Sequence, residues 1–245
     1  MSNRFLLEVC VESVDYAVAA ERGGAHRIEL CSDLPSGGVT PSAGLMQTTR
    51  RHVRLPIHAM IRPRAGDFCY SNRELEIMRD DICAAKQLGM DGVVLGILTE
   101  SARVDIERTK ALVELAQPLP VTFHRAFDAS RDLEVSLEEV IQTGASRLLT
   151  SGGEARAIDA LPILARLVQA ARGGILLMPC GGVRSENIAR IVRATLAQEF
   201  HSSVGTSSAS QASSLDPGDE TGSRPDAATF ERRVREVVSV LDDLF

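Results

Sequence analysis

Five cysteines are spread irregularly along the chain, at positions 10, 31, 69, 83 and 180, with no CxxC pair. An odd, unpaired set of this kind points to reduced thiols in a reducing compartment rather than to a disulfide frame. Two of them, Cys10 in LLEVCVE and Cys31 in RIELC, sit in short alternating runs beside glutamates. Thiols and thioethers are the ligands soft metals prefer, Cu(I) above all. Glu8, Glu12, Glu29, His58, Arg62, Asp67, His124 and His201 supply the other chemistry the chain carries. Carboxylates and imidazoles can be tuned by burial for acid–base work near neutral pH. Two paired-glycine turns, TSGG (Ser151, Gly152, Gly153) and PCGGVR (Gly181, Gly182), expose N–H groups ahead of helices. Such turns suit an anion.

These residues lie in runs that repeat one rhythm. Strand-like segments LLEVCVE, RIELC, IHAMIRP, GVVLG, VTFHRAF, RLLTS, GILLMPC and EFHSSV alternate with helical ones. The helices are expected near Ser13–Arg22, from Pro41, and over Asn72–Leu88, Asp105–Ala116, Leu133–Thr143, Ala157–Ala171, Glu186–Ala197 and Asp226–Leu244. Eight β–α pairs require parallel strands, because each return crossover needs a helix. At 245 residues the closed solution is a single-domain α/β protein, a (β/α)8 TIM barrel, with its chemistry at the C-terminal strand ends. An open doubly wound sheet would show a glycine-rich fingerprint after its first strand, and CVESVDYA has none. The polar stretch Gly205–Pro225 breaks the rhythm and is expected to be a flexible surface insertion or a lid over the strand ends.

Alternation then assigns faces. With Leu7, Val9 and Val11 turned towards helices, Glu8, Cys10 and Glu12 point into the barrel. The same logic turns inward Glu29 and Cys31, then His58, Met60 and Arg62, then Thr122 and His124, then Glu199 and His201. Met178 and Cys180 share one face. So many buried charges must pair, and Arg62 is the expected hub. Glu8, Glu29, His58 and His201 are expected to support a mouth formed by Glu12, Cys31, Arg62, His124 and Cys180.

Composition removes several classes. The net charge of −6 is mixed along the chain, which argues against nucleic acid as a partner. No apolar run reaches the roughly 18 residues of a membrane span. The start, MSNRFLLEVCVES, does not fit a signal peptide, so a cytoplasmic protein is expected.

The strand ends also spell longer motifs. ELCSDLPSGGVTPSAG, MIRPRAGDFCYS, TFHRAFD, LTSGG, CGGVRSEN and EFHSS, in this order over nearly the whole chain, resemble the CutC family. The resemblance implies a cytosolic barrel, often a homo-oligomer, concerned with copper homeostasis. It also implies cysteine thiols as the copper ligands, with Cys10 and Cys31 at the family's strand-one and strand-two positions. The 205–225 stretch is the main departure from the family's pattern. Two functions therefore stand side by side. One is Cu(I) binding at Cys10 and Cys31. The other is an enzyme on a small anionic substrate, held by Arg64, Ser151 and the two glycine turns. Glu12, Arg62, Asp67 or His124 would then be its catalytic groups.

Overall fold

A computed structural model describes residues 5–171, 173–205 and 225–244. Nearly all of the 205–225 stretch lies outside the described residues.

Among the described residues, eight strands alternate with eight α-helices. The strands are β1 (Leu6–Val11), β2 (Arg27–Leu30), β3 (Ile57–Met60), β4 (Gly92–Leu95), β5 (Val121–Phe123), β6 (Arg147–Thr150), β7 (Leu176–Pro179) and β8 (Glu199–Ser202). The helices are α1 (Val14–Arg22), α2 (Ala43–His52), α3 (Asn72–Gln87), α4 (Ile106–Ala116), α5 (Leu133–Thr143), α6 (Leu161–Ala170), α7 (Ser185–Thr195) and α8 (Ala227–Asp242). The strands pair in parallel in the order β7-β6-β5-β4-β3-β2-β1-β8. β8 returns to pack against β7, so the sheet nearly closes on itself. This is the expected barrel.

Local chemistry sets where the helices begin. Ser13 and Ser42 accept the Tyr16 and Leu45 N–H groups at the entries of α1 and α2. Ser71 and Glu74 cap α3 reciprocally, which satisfies donors that a helix start leaves open. The helix expected over Ala157–Ala171 divides into a 3-10 turn, Ala157–Asp159, and α6. Pro162 lacks an N–H and is accommodated only in a first turn, so α6 starts just before it.

Among the described residues, the buried apolar side chains form three groups. The largest fills the layer between strands and helices and includes Leu7, Val9, Ile28, Leu30, Ile57, Ala59, Val121 and Phe123. These are the residues that alternation turned outward. Two small groups lie inside the barrel: Cys10, Cys31, Met60 and Val94, and Leu149, Met178 and Cys180. The remaining interior is polar. Glu8, Arg27, Glu29, His58, Thr122, His124, Glu199 and His201 are all buried.

β4 makes room for two of these. A Cβ added at Gly92 would lie 2.5 Å from the His58 ring, and one at Gly96 would lie 2.5 Å from the His124 ring. The glycines of GVVLG thus leave space for the imidazoles of β3 and of the β5 end.

Candidate metal centre

The interior charges are arranged around Arg27 rather than the expected Arg62. Arg27 Nε donates to Glu8 at 2.5 Å and its Nη2 to Glu199 at 2.6 Å. Arg147 Nε adds a second bond to Glu199 at 2.8 Å. Burial opposes ionisation of Glu8, yet Arg27 and His201 overcome it and hold its carboxyl far below the usual range. Arg62 lies beyond the last residue of β3 and reaches loop carbonyls instead. Its Nη1 donates to Ser36 O and Gly38 O, both at 2.9 Å, and its Nη2 to Gly66 O at 2.8 Å. The guanidinium also stacks 4.9 Å from the Phe68 ring centre.

Above this floor sit the two thiols. Cys10 lies opposite Glu29 in the β1–β2 register, and Cys31 immediately follows β2. Their Sγ atoms are 3.5 Å apart and both residues are buried. The hydrogen bond to Cys31 and burial push the Cys10 thiol well above its ordinary pKa. Left alone, the Cys10 thiol stays protonated.

Beside the thiols runs a carboxylate–imidazole–carboxylate chain. His201 Nδ1 is 2.8 Å from Glu8 and its Nε2 is 3.3 Å from Glu29 Oε2. Burial works against a charged ring. The Glu29 charge and the Glu8 bond outweigh it and raise the His201 pKa. Burial in turn raises the Glu29 pKa, and Glu29 Oε1 is buried with no hydrogen-bond partner. One ligand atom each from Cys10, Glu29 and His201 lies within 4.8 Å of the others.

Two donor sets overlap here. The sulfur pair suits a soft monovalent ion, and the S/O/N triad suits a borderline divalent one. In the triad His201 would give up one of its two carboxylate contacts and keep the other, whereas the sulfur pair would lose only its thiol protons. The sulfur pair is the donor type that Cu(I) prefers, and the buried, unpartnered Glu29 oxygen lies within reach of Cys10.

The remaining candidates are brought to other places. Glu12 Oε2 accepts the Leu34 N–H at 2.9 Å. Asp67 is largely exposed, and Arg64 bonds to it at 2.9 Å. That bond, with the Cys69 N–H, holds its carboxyl below the usual range. Arg64 also donates to Glu74. His58 and His124 are kept neutral, with burial as the main cause, and their pKa values fall to about 4 and about 3. His124 Nδ1 accepts the Ala126 N–H, leaving Nε2 buried and unpartnered.

The β6 turn does hold an anion, but one the chain supplies. The Asp128 carboxylate receives the Ser151 and Gly153 N–H groups at 3.0–3.2 Å. It also receives the Thr150 hydroxyl at 2.5 Å, the Ser151 hydroxyl at 2.8 Å and Arg125 Nε at 2.9 Å. Gly152 N–H turns to Thr150 Oγ1 at 2.9 Å. In the second turn, the Gly181 and Gly182 carbonyls accept the Ala157 N–H and the Asn187 side chain. Arg27, Arg147 and Asp128 were missed as organising residues. Alternation carried back from Glu29 would have found Arg27.

No helix among the described residues is long and apolar enough to cross a membrane. Comparison with known proteins follows the same lines. The CutC family model matches residues 5–206. A human relative named copper homeostasis protein cutC homolog is 50% identical over 203 residues, 83% of this chain and 74% of that protein. A CutC family protein from Bacteroides fragilis is 42% identical over 241 residues, covering 98% and 96% of the two chains. The crystal structure of a CutC protein from Streptococcus agalactiae superposes with a TM-score of 0.77 at 33% identity. That match covers 81% of this chain and 98% of that one.

Proposed function

This chain belongs to the CutC family, and from that premise we propose that it takes part in copper homeostasis by holding Cu(I) at Cys10 and Cys31. One observation carries the reading: two buried thiols whose sulfurs lie 3.5 Å apart on neighbouring strands. Thiolates favour Cu(I) over harder ions. Binding would displace the thiol protons, and affinity would rise with pH as it does for any ligand that must first deprotonate. Glu29 and His201 flank Cys10, and a protonated His201 would offset the net negative charge of two thiolates around one Cu(I). Residence in the cytoplasm and self-association belong to the same proposal. Five free cysteines are what a reducing compartment maintains.

The test is anaerobic equilibration with Cu(I) against a competing chelator of known affinity. One tightly held ion per chain is expected, lost in Cys10→Ser and in Cys31→Ser. Unchanged binding in both variants would exclude the two-thiol site. Light scattering on the same samples reads the oligomeric state.

The enzyme reading has less support. Arg62, Arg64, Glu12 and Asp67 are all committed to bracing loops, and Asp128 already fills the β6 turn.

A further inference from the structure

The segment between β2 and α2, SDLPSGGVT, lies directly over the thiol pair. Ser32 and Val39 pair as an antiparallel bridge, with N···O distances of 3.0 and 2.8 Å, and form a neck. Beyond the neck, residues 33–38 form a compact turn held by its own bonds. Ser36 and Gly38 N–H groups reach Asp33 O, and Gly37 N–H reaches Leu34 O. The outer face of this turn, at Asp33, Pro35, Ser36 and Gly37, is exposed, while Gly38 is buried beneath it.

Its inner face meets the sulfurs. Leu34 packs on the group formed by Cys10, Cys31, Met60 and Val94. Gly38 approaches so closely that an added Cβ would lie 3.3 Å from Cys31 Cβ and 3.5 Å from its Sγ. Gly38 has φ +84°, a backbone conformation that glycine adopts without strain.

Two side chains of the barrel beneath bond to the turn. Glu12 Oε2 accepts the Leu34 N–H at 2.9 Å. Arg62 Nη1 donates to Ser36 O and Gly38 O at 2.9 Å each. The internal bonds make residues 33–38 one unit, and Glu12, Arg62 and the Leu34 contact fasten that unit shut.

We propose that residues 33–38 are a hinged cover over Cys10 and Cys31, latched by Arg62 and Glu12, and that it must open before anything reaches the thiols. A soft metal ion then enters or leaves only when the latch parts, and the exchange rate is set by the latch rather than by the sulfurs. This builds on the copper reading for the identity of the ion only. The gating itself is a property of the thiols, whatever they bind.

The other cysteines supply controls. Cys83 is exposed, and Cys180 is buried elsewhere in the barrel. Native protein is exposed to N-ethylmaleimide, and the labelling of each cysteine is followed by mass spectrometry. In wild type, Cys83 reacts freely while Cys10, Cys31 and Cys180 are slow.

Arg62→Ala should speed labelling of Cys10 and Cys31 by about tenfold or more, the factor a hydrogen bond to a charged group contributes, and Leu34→Ala, which removes the apolar contact over the sulfurs, should separately speed it in the same direction. Cys180 should not change. Leu34 is only half-buried at the surface, so its truncation tests the cover without emptying the core. If Cys10 and Cys31 stay at wild-type rates in both variants, the cover is not the barrier. If Cys180 accelerates in step with them, general loosening replaces the gate and the proposal fails.

Chelator-driven loss of Cu(I) from the same variants should accelerate by a similar factor. Faster labelling in a protein that binds no copper would keep the cover and remove the copper reading. Copper binding with unchanged labelling would do the reverse.

Discussion

Two sulfur patches face the inside of this barrel, and only one of them looks built for chemistry. On the β1–β2–β3 side are Cys10, Cys31 and Met60; on the β6–β7 side are Cys180 and Met178 with Leu149. Residue types and burial are alike. In the first patch a second thiol stands 3.5 Å away, with Glu29 and His201 alongside. In the second the thiol is solitary. Its polar neighbours Arg125, Asp128 and Ser151 are bonded to one another, and burial pushes its pKa up. Buried sulfur is ordinary core material. What separates a site from core is the second donor and the groups able to balance charge around it.

The largest effect is expected where the two sides share a floor. Arg27 touches Glu8, Glu199 and the Met178 sulfur, the last at 3.4 Å. Arg27→Met leaves Glu8 buried without its main counter-charge. Removing one partner of such a pair costs on the order of 3–5 kcal/mol, read from urea unfolding at neutral pH. A loss below about 1 kcal/mol, the worth of an exposed pair, would mean that the network does not anchor the barrel.

Copper affinity tests the contrast directly. Cys10→Ser and Cys31→Ser should each weaken Cu(I) binding by more than the roughly 100-fold that an outer-sphere change produces. Glu29→Gln should fall within that outer range, about 10- to 100-fold. Cys180→Ser should leave affinity unchanged. Equal losses at Cys180 and Cys10 would erase the distinction between the patches.

The imidazoles provide a third test, because they titrate in opposite directions. His58 keeps its ring neutral down to about pH 4, against 6.5 for an ordinary histidine. Between those values the unfolded chain binds a proton that the folded chain refuses. Its contribution, roughly 3 kcal/mol at 1.4 kcal/mol per pH unit, is full above 6.5 and is lost as pH falls towards 4. His124 acts in the same direction. His201 is raised, so its contribution is present below 6.5 and is lost as pH rises through its folded value. Unfolding free energies measured from pH 4 to 8 should show His58→Asn flattening the acid limb. His201→Asn should flatten any alkaline decline. If both variants changed the same limb, the opposite shifts of His58 and His201 would be wrong.

Much of this interior could be read from alternation alone. β1 alternates cleanly, so Glu8, Cys10 and Glu12 were placed inward, and the nearness of Cys10 to Cys31 followed from adjacent strands. Three features escaped for physical reasons. In RLLT the neighbouring leucines hide which face Arg147 takes. Arg62 sits two residues past the end of β3, where alternation still gives a direction but no longer a partner. Loop carbonyls claim it before any carboxylate does. Asp128 lies beyond the three-residue β5, in the 3-10 turn Arg125–Ala129. Only the folded course of that turn brings it over the β6 glycines.

The smallest expected effect concerns that turn and the quieter side of the barrel. In TSGG the Ser151 and Gly153 N–H groups cradle the Asp128 carboxylate. Asp128→Asn keeps an oxygen able to accept from Gly153 and Ser151 but sets an amide against Arg125 and the Ser151 hydroxyl. One charge-assisted bond is lost and a buried donor is poorly placed, at a cost of about 1–3 kcal/mol. Cu(I) affinity should not move, because the thiol pair lies across the barrel. Asp128→Gly removes the carboxylate altogether and leaves Arg125, the two hydroxyls and the N–H groups without an acceptor. Formate or phosphate should then raise the melting temperature of this variant and not of wild type, since an anion that binds only the folded cradle stabilises it. Stabilisation of wild type to the same extent would show that Asp128 does not fill the cradle, and would return the β6 turn to the list of sites for an external ligand.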